Sequence, residues 1–377
     1  MKTTGAVLYE MEKPAPYAQS KPLHIEELTL DGPGPGEVLV EVRAAGLCHS
    51  DLSVIDGARP RVMPMVLGHE AAGIVRDIGA DVTEFKPGDH VVFSYVPVCG
   101  HCACCSIGRA SLCENGAKAN VAGSLLRGGR RFKTAAGREL HHHLGVSGFS
   151  QFTVSAQESL VKIDKTVAFE KAALFGCAVM TGVGAVVNTA KVPSGSSAAV
   201  FGLGGVGLST IMGLKAVGAW PVVAIDRFPE KLNLAKSLGA THTINAADID
   251  AVAALRDLTS GGAQYVFEAV GSDKVLAQAY SGTRRGGVTV TIGLPHPSKQ
   301  LTIQAVSLVA EERTLMGSYM GSAVPRRDAP RYINMYLAGM LPVDKLFSGT
   351  IPLSKINEGF DHLASGQTVR QVVTFGT

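Results

Sequence analysis

Seven cysteines occur in the chain, and five of them fall between Cys99 and Cys113. In Cys99-Gly-His-Cys102-Ala-Cys-Cys105, followed later by Cys113, the sulfurs at 99, 102 and 105 keep a regular two-residue gap. Four thiolates can close a tetrahedral shell around zinc and leave no vacancy for chemistry. The predicted role is a structural metal that pins a loop lacking its own core. Cys104 is a competing fifth sulfur that the regular gap leaves out. Free cytosolic thiols, a redox-sensing cluster and a nucleic-acid zinc finger are the alternatives. The last wants basic and aromatic neighbours, which are sparse here. An odd cysteine count, clustered in this way, argues for metal thiolates in a reducing compartment and against a secreted disulfide framework.

Three other residues could form a separate, open site. Cys48 lies in Gly46-Leu-Cys-His-Ser-Asp51, His69 in Gly68-His-Glu70, and Cys177 in Phe175-Gly-Cys-Ala-Val-Met-Thr-Gly182. Two sulfurs and one imidazole leave the fourth position of a zinc ion for water or substrate, the pattern of a catalytic metal. Cys177, in an apolar run, also reads as a small core residue.

A third signal is Ser197-Ala-Ala-Val-Phe-Gly-Leu-Gly-Gly-Val-Gly-Leu208. It reads as a strand at 198–201, a glycine turn and a helix running to about Gly218. Gly202, Gly204 and Gly207 fill the glycine positions of a dinucleotide fingerprint: a tight turn, close approach to a pyrophosphate, and close helix-on-strand packing. The helix N-terminus offers free N–H groups to phosphate. An ordinary glycine-rich turn is the alternative. Pro221-Val-Val-Ala-Ile-Asp226 decides between them, because an acid ends this second strand where the ribose hydroxyls of NAD are met. Its charge repels the 2′-phosphate of NADP, a preference that neighbouring Arg227 softens.

The frame for these residues follows from length and rhythm. The chain has 377 residues, enough for two domains, and 46% hydrophobic content, which suits a buried parallel sheet. A formal net charge of +3 with no basic run excludes nucleic acid as a partner. The first residues, Met1 to Glu10, hold no apolar signal core. From Ala172 to Leu214 the only charge is Lys191, but Gly176, Gly182, Gly184, Pro193 and Gly195 break the run into strand, turn and helix, so no membrane span is expected. A cytoplasmic protein is expected. Short β runs such as 37–42 and 90–94 fill the chain to about residue 180. From about 181 to 321, strands at 198–201, 221–226, 242–244, 264–268 and 287–292 alternate with helices near 229–238, 248–258 and 273–280. That is the rhythm of a doubly wound parallel sheet. From 322 the pattern is mixed, with helices near 329–338 and 355–363 and a last strand at 370–375. The stretch from Arg127 to Gly137 is the most loop-like, a surface excursion.

Taken together, these motifs resemble the zinc-dependent alcohol dehydrogenases of the medium-chain dehydrogenase/reductase family. The resemblance spans nearly the whole chain. It rests on residues 46–51, Gly68-His-Glu70, Lys86-Pro-Gly-Asp-His-Val91, the four-cysteine loop, Cys177 with Thr181-Gly182, and Gly202-Leu-Gly-Gly-Val-Gly207. It implies an α/β fold, a Rossmann doubly wound parallel sheet plus a GroES-like β-rich catalytic domain. The implied domains are a catalytic domain at 1–180 with the zinc loop at 99–113, a Rossmann domain at 181–321, and a return to the catalytic domain at 322–377. The run Arg138-Glu-Leu-His-His-His-Leu-Gly145 resembles the longer-chain animal and plant type, which implies a homodimer.

The implied activity interconverts a primary aliphatic or aromatic alcohol and its aldehyde, with NAD as hydride carrier and two Zn2+ per chain. Cys48, His69 and Cys177 would hold the catalytic ion, and Cys99, Cys102, Cys105 and Cys113 the structural one. Ser50 begins a proton relay, Asp51 accepts a hydrogen bond from His69, and Glu70 is an acid beside the metal. Where members end the relay on a histidine, this chain has Ser53, which is no base at neutral pH. His49 and Arg370 would meet the pyrophosphate, with Gly202, Gly204, Gly205, Val206 and Gly207. Asp226, with Arg227 next to it, and Lys231 lie by the adenosine ribose; Thr181 and Val206 back the nicotinamide ring, and Val270, Ile292 and Leu294 are further coenzyme-binding residues. Tyr95, His143, Leu144 and Leu294 line the substrate pocket. His141-His-His143 is discounted as a metal site, since neighbours in an extended segment face opposite ways.

The nearest alternative is a glutathione-adduct formaldehyde dehydrogenase. That group carries arginine where Ala117 stands, with Lys118 beside it. Polyol dehydrogenases replace the Cys177 ligand with Glu. A zinc-free quinone reductase or a non-catalytic relative would lack the ligands at 48, 69 and 177.

Overall fold

The computed structural model describes residues 1–375. The chain divides into two compact units: Met1–Cys177, Val324–Ile333 and the residues from Phe347 form the first, and Ala178–Ala323 with Asn334–Leu346 the second.

The first unit is β-rich. Lys2–Leu8, Leu23–Leu30, Phe132–Lys133, Glu139–His142 and Met65–Val66 close into a barrel. A second, seven-stranded sheet runs in the order Leu160–Lys162, His90–Phe93, Ala71–Ile78, Glu37–Gly46, Arg370–Thr374, Phe347–Pro352, with Phe152–Ala156 also on Glu37–Gly46. The central strand shows why it forms. Val38, Val40, Val42 and Ala44 are buried while Leu39, Glu41 and Arg43 between them are half-buried, the period of two that a sheet with one covered face requires. Arg370–Thr374 pairs antiparallel with its end, Val372 opposite Gly46, which brings Arg370 to the residues after Gly46.

The segment 127–137 is no surface excursion. Phe132–Lys133 is a barrel strand, and Phe132 is wholly buried with Val7, Leu28, Leu30 and Leu140. Arg131 donates to both carboxylate oxygens of Glu37 (2.7 and 3.1 Å), and Arg127 does the same to Glu158 (2.6 and 2.8 Å). A two-residue strand between glycine turns carries no periodicity, so its pairing is invisible in the sequence.

In the second unit six parallel strands follow the order His242–Asn245, Val222–Asp226, Ala198–Phe201, Ala263–Glu268, Thr283–Thr291, Thr314–Gly317. Every residue of Ala198–Phe201 is buried, as strands covered on both faces require. The order reverses beside this strand, with successors on opposite sides, and the crevice at such a reversal is where doubly wound sheets bind ligands. Helix Ala305–Ala310 and strand Thr314–Gly317 have no counterpart in the sequence reading, because both are short and neither alternates. Among the described residues no single helix is long and apolar enough to cross a membrane.

Candidate metal centres and coenzyme site

Cys48 sits in extended conformation at the end of a strand connection and starts helix His49–Ile55, whose first turn carries the buried Asp51. Gly68 has φ +93°, and a Cβ there would meet Phe149 N at 2.5 Å, so only glycine lets the chain turn to present His69. His69 Nε2 lies 3.4 Å from Cys177 Sγ. One donor atom each from Cys48, His69, Glu70 and Cys177 falls within 4.8 Å of the others, and all four residues are buried.

This donor set fits a divalent cation. Both Glu70 carboxylate oxygens are buried without a hydrogen bond, a costly state that a metal beside them would relieve. The Cys177 thiol pairs with Cys48, and with Arg370 and His69 this holds the Cys48 thiol well below the usual range, while the same pairing and burial drive Cys177 up. Burial pushes Glu70 up to about 7, against the pull of Arg370. Arg370 is itself buried. Its Nη2 lies 3.6 Å from Cys48 Sγ, its Nη1 donates to Leu47 O at 3.4 Å, and its Nε lies 3.6 Å from Glu70. The guanidinium expected at a coenzyme phosphate thus also lies beside the metal ligands.

Asp51 joins two imidazoles. His69 Nδ1 lies 3.0 Å from Oδ2 and His143 Nδ1 3.1 Å from Oδ1, contacts bent from a straight hydrogen bond; Gly68 N–H donates to Oδ1 at 3.3 Å. Burial alone would raise the Asp51 carboxyl, but the two histidines outweigh it and hold it low. An ionised Asp51 leaves Nε2 of His69 free as a ligand, the usual carboxylate–histidine–metal order. Tyr95 and His143 each meet the His69 ring edge-on, at 5.6 Å between centroids. Leu144 is buried beside His143. Ser50 is half-buried in the first turn of its helix, and Ser53 donates its hydroxyl to His49 O at 2.8 Å.

Cys99, Cys102, Cys105 and Cys113 bring their sulfurs within the same 4.8 Å limit. Cys104 is outside the group. The chain supplies donors for sulfur charge: Cys113 Sγ accepts from the N–H of Cys99 and of Gly116, and Cys99 Sγ from Asn115 Nδ2, all at 3.3 Å. N–H groups of Cys105 and Glu114 pull the Cys102 thiol down to about 6. Such N–H donors favour thiolates at Cys99 and Cys102, whereas burial pushes Cys105 up to about 12 and raises Cys113 as well.

In the second unit Gly202 turns with φ +89°, and a Cβ on Gly207 would overlap the Gly202 carbonyl. Around Gly204 nothing lies within 4 Å of a Cβ position. That open cradle at the start of helix Gly205–Ala216, which no side chain caps, fits a pyrophosphate. Asp226 closes the strand beside it. Its Oδ2 accepts from Leu203 N–H and its Oδ1 from Arg227 N–H, both at 2.7 Å. Lys231 and Arg227 both lie over the Phe228 ring, at 4.8 and 5.0 Å. Thr181 is buried with its hydroxyl unpartnered, and Val206 is half-buried. Val270 and Leu294 are exposed and Ile292 is buried, on two loops tied together by Glu268. No motif marks Glu268; an acid ending an apolar strand is its sole trace in the sequence.

Residues 34–165 match the model of the alcohol dehydrogenase GroES-like domain, and residues 205–338 that of the zinc-binding dehydrogenases. An alcohol dehydrogenase class-3 of Cereibacter sphaeroides is 38% identical over 100% of both chains. An S-(hydroxymethyl)glutathione dehydrogenase of Paracoccus denitrificans is 37% identical, also over 100% of both. Among solved structures, the benzyl alcohol dehydrogenase of Acinetobacter calcoaceticus covers 100% of both chains at 32% identity with a TM-score of 0.92.

Proposed function

The chain belongs to the zinc-dependent alcohol dehydrogenases of the medium-chain dehydrogenase/reductase family, and from that membership we propose which residues act and on which alcohols. The protein is an NAD-dependent zinc oxidoreductase that interconverts an alcohol and its aldehyde. We assign the catalytic domain to 1–180 with 322–377, and the coenzyme domain to 181–321, with Asn334–Leu346 of the returning segment grouped by packing with the second unit.

When bound, zinc supplies a Lewis acid that lowers the pKa of an alcohol oxygen, and NAD takes up the hydride. Cys48, His69 and Cys177 hold the catalytic ion. Asp51 keeps His69 in the tautomer that presents Nε2, and Glu70 waits as a further donor. Ser50 receives the alcohol proton, because one hydroxyl both accepts and donates. Ser53 cannot serve as the terminal base, so the proton leaves to water. Gly202, Gly204, Gly205 and Gly207 receive the pyrophosphate with His49 and Arg370. Asp226 takes the ribose hydroxyls, flanked by Arg227 and Lys231. Thr181, Val206, Val270, Ile292 and Leu294 hold the nicotinamide end. Tyr95, His143 and Leu144 line the alcohol site. The protein works in the cytoplasm as a homodimer.

The observation that carries this reading is the convergence of Cys48, His69 and Cys177 within 4.8 Å in a chain that also carries the open glycine cradle. The preferred substrates are primary aliphatic and aromatic alcohols. A second reading, the glutathione adduct of formaldehyde, is favoured by the names of two relatives. Against it stands Ala117, although the adjacent Lys118 is exposed on the same helix, Glu114–Ala122.

The test is a panel of 1-hexanol, benzyl alcohol and S-(hydroxymethyl)glutathione with NAD and NADP, alongside metal analysis. Expected are two zinc ions per chain, one for each cysteine-containing donor set, and turnover of the simple alcohols with NAD. Cys177→Ala should drop the zinc content by one ion and abolish turnover. Full zinc retention in that variant would remove Cys177 from the ligand set. Turnover of the glutathione adduct alone would select the second reading.

A further inference from the structure

Two loops of the second unit follow the strands Ala263–Glu268 and Thr283–Thr291, at their carboxyl ends and on one side of the reversal in strand order. They touch each other. A Cβ on Gly271 would stand 3.0 Å from Leu294 N, and one on Gly293 would overlap the Gly271 backbone. They also touch the glycine turn, since a Cβ on Gly202 would meet the Val270 side chain at 2.5 Å. Their tips are apolar yet open to solvent, with Val270 54% and Leu294 48% exposed. Exposed apolar tips at the carboxyl ends of a doubly wound sheet, beside its phosphate turn, mark the ligand crevice.

One side chain ties both loops. Glu268 is 1% exposed. Its Oε1 accepts from the N–H of Val270 (2.7 Å), Gly271 (2.6 Å) and Ser272 (3.4 Å). Its Oε2 accepts from the Thr291 hydroxyl at 3.0 Å, and its carbonyl from the N–H of Ile292 and Gly293 at 2.8 and 3.1 Å. Ordinary helix capping does not explain the carboxylate, because Ser272 Oγ already accepts from Val275 N–H at the start of the next helix. Nor does strand pairing, which the backbone supplies between Glu268 and Thr291. What the charged oxygens add is the fixed conformation of the two loops, through hydrogen bonds to an anion that are stronger than neutral ones.

We propose that Glu268 is a positioning residue for the nicotinamide half of the coenzyme. It clasps the Val270 loop to the Ile292–Leu294 loop so that their tips stand preorganised against that half alone. The adenosine half, met by Asp226 and the glycine turn, does not depend on it. This rests on the reading above that Val270, Ile292 and Leu294 contact the nicotinamide end.

The experiment compares NADH with ADP-ribose, which lacks the nicotinamide, on the zinc-loaded enzyme. Binding is followed by calorimetry, and thermal unfolding is recorded in parallel. Glu268→Ala should weaken NADH about tenfold while ADP-ribose stays within about twofold, since several hydrogen bonds to a charged group are lost from the loops. Thr291→Val, which cuts only the Oε2 tie, should shift NADH in the same direction by about threefold. Glu268→Gln keeps an acceptor and should fall between; these two variants carry the test should the alanine variant not fold. Equal loss of NADH and ADP-ribose would reduce Glu268 to general support of the fold and overturn the proposal. Unchanged NADH binding in the Glu268 variants, with Val270→Glu weakening it, would overturn the clasp and leave the loop reading standing. Unchanged binding in all of them would overturn the loop reading itself.

Discussion

A histidine kept neutral inside the barrel makes this fold sensitive to mild acid. His142 is fully buried, its ring 5.1 Å from Phe132, and its Nε2 accepts from Arg131 N–H at 3.2 Å. Burial first, then Arg131 and Arg130, push its pKa down to about 3. The unfolded ring takes a proton near the ordinary value of about 6.5. Between these two values the unfolded chain binds more protons than the folded one. The contribution is therefore complete above about pH 6.5 and lost as pH falls toward 3, at about 1.4 kcal/mol per pH unit. Urea unfolding at pH 7.5 and pH 5 should show His142→Gln losing about 2 kcal/mol less than the parent between those pH values. An identical loss in both would show that the ring is already protonated in the fold. The histidine run was legible only in part. Opposite facing within 141–143 follows from strand geometry. The meeting of His143 with Asp51 does not, because the partners come from distant parts of the chain.

At the level of elements, the four-cysteine loop is held by short pieces, Ala103–Ser106, Ala110–Leu112 and Glu114–Ala122, with few buried residues of their own. Metal coordination is the main source of order for such a segment. Cys105→Ser should therefore release the structural zinc and lower the melting temperature by several degrees, as expected for a loss of about 2–3 kcal/mol in a domain of this size. Cys104→Ser, whose sulfur is outside the donor set, should retain the metal and the melting temperature. Matching effects in the two variants would mean that the sulfurs exchange places. This loop was readable because ligand spacing is local chemistry. So were Ala198–Phe201 and Val222–Asp226, whose apolar runs end on glycines and an acid. Phe132–Lys133 and Thr314–Gly317 were not, since strands of two and four residues leave no period to detect. Glu268 was unreadable for a different reason: its role exists only once two loops from separate strands meet.

For the molecule as a whole, the strand that the sequence hid bears on the assembly. Among the described residues Thr314–Gly317 pairs with Thr283–Thr291 alone, so its outer row of N–H and C=O groups has no strand partner there. An open edge recruits another strand unless it is covered or charged. The preceding helix, Ala305–Ala310, exposes Val306 (62%), Leu308 (37%) and Val309 (82%). Apolar residues so exposed on the element that leads into an open edge mark a candidate association surface. In the homodimer proposed above, a second copy of this chain would supply the matching edge through a twofold axis, with the same residues contributed from both sides. That homodimer would therefore form through this strand and helix of the second unit. Sedimentation of the parent protein should give twice the chain mass. Val306→Glu with Val309→Glu would put like charges of both copies into the proposed interface and should raise the dimer dissociation constant by about a hundredfold or more. Zinc content and NADH binding should be unchanged in that variant, since neither surface residue belongs to either site. A parent that sediments as a monomer would refute the assembly, and a dimer that survives both substitutions would place its interface elsewhere.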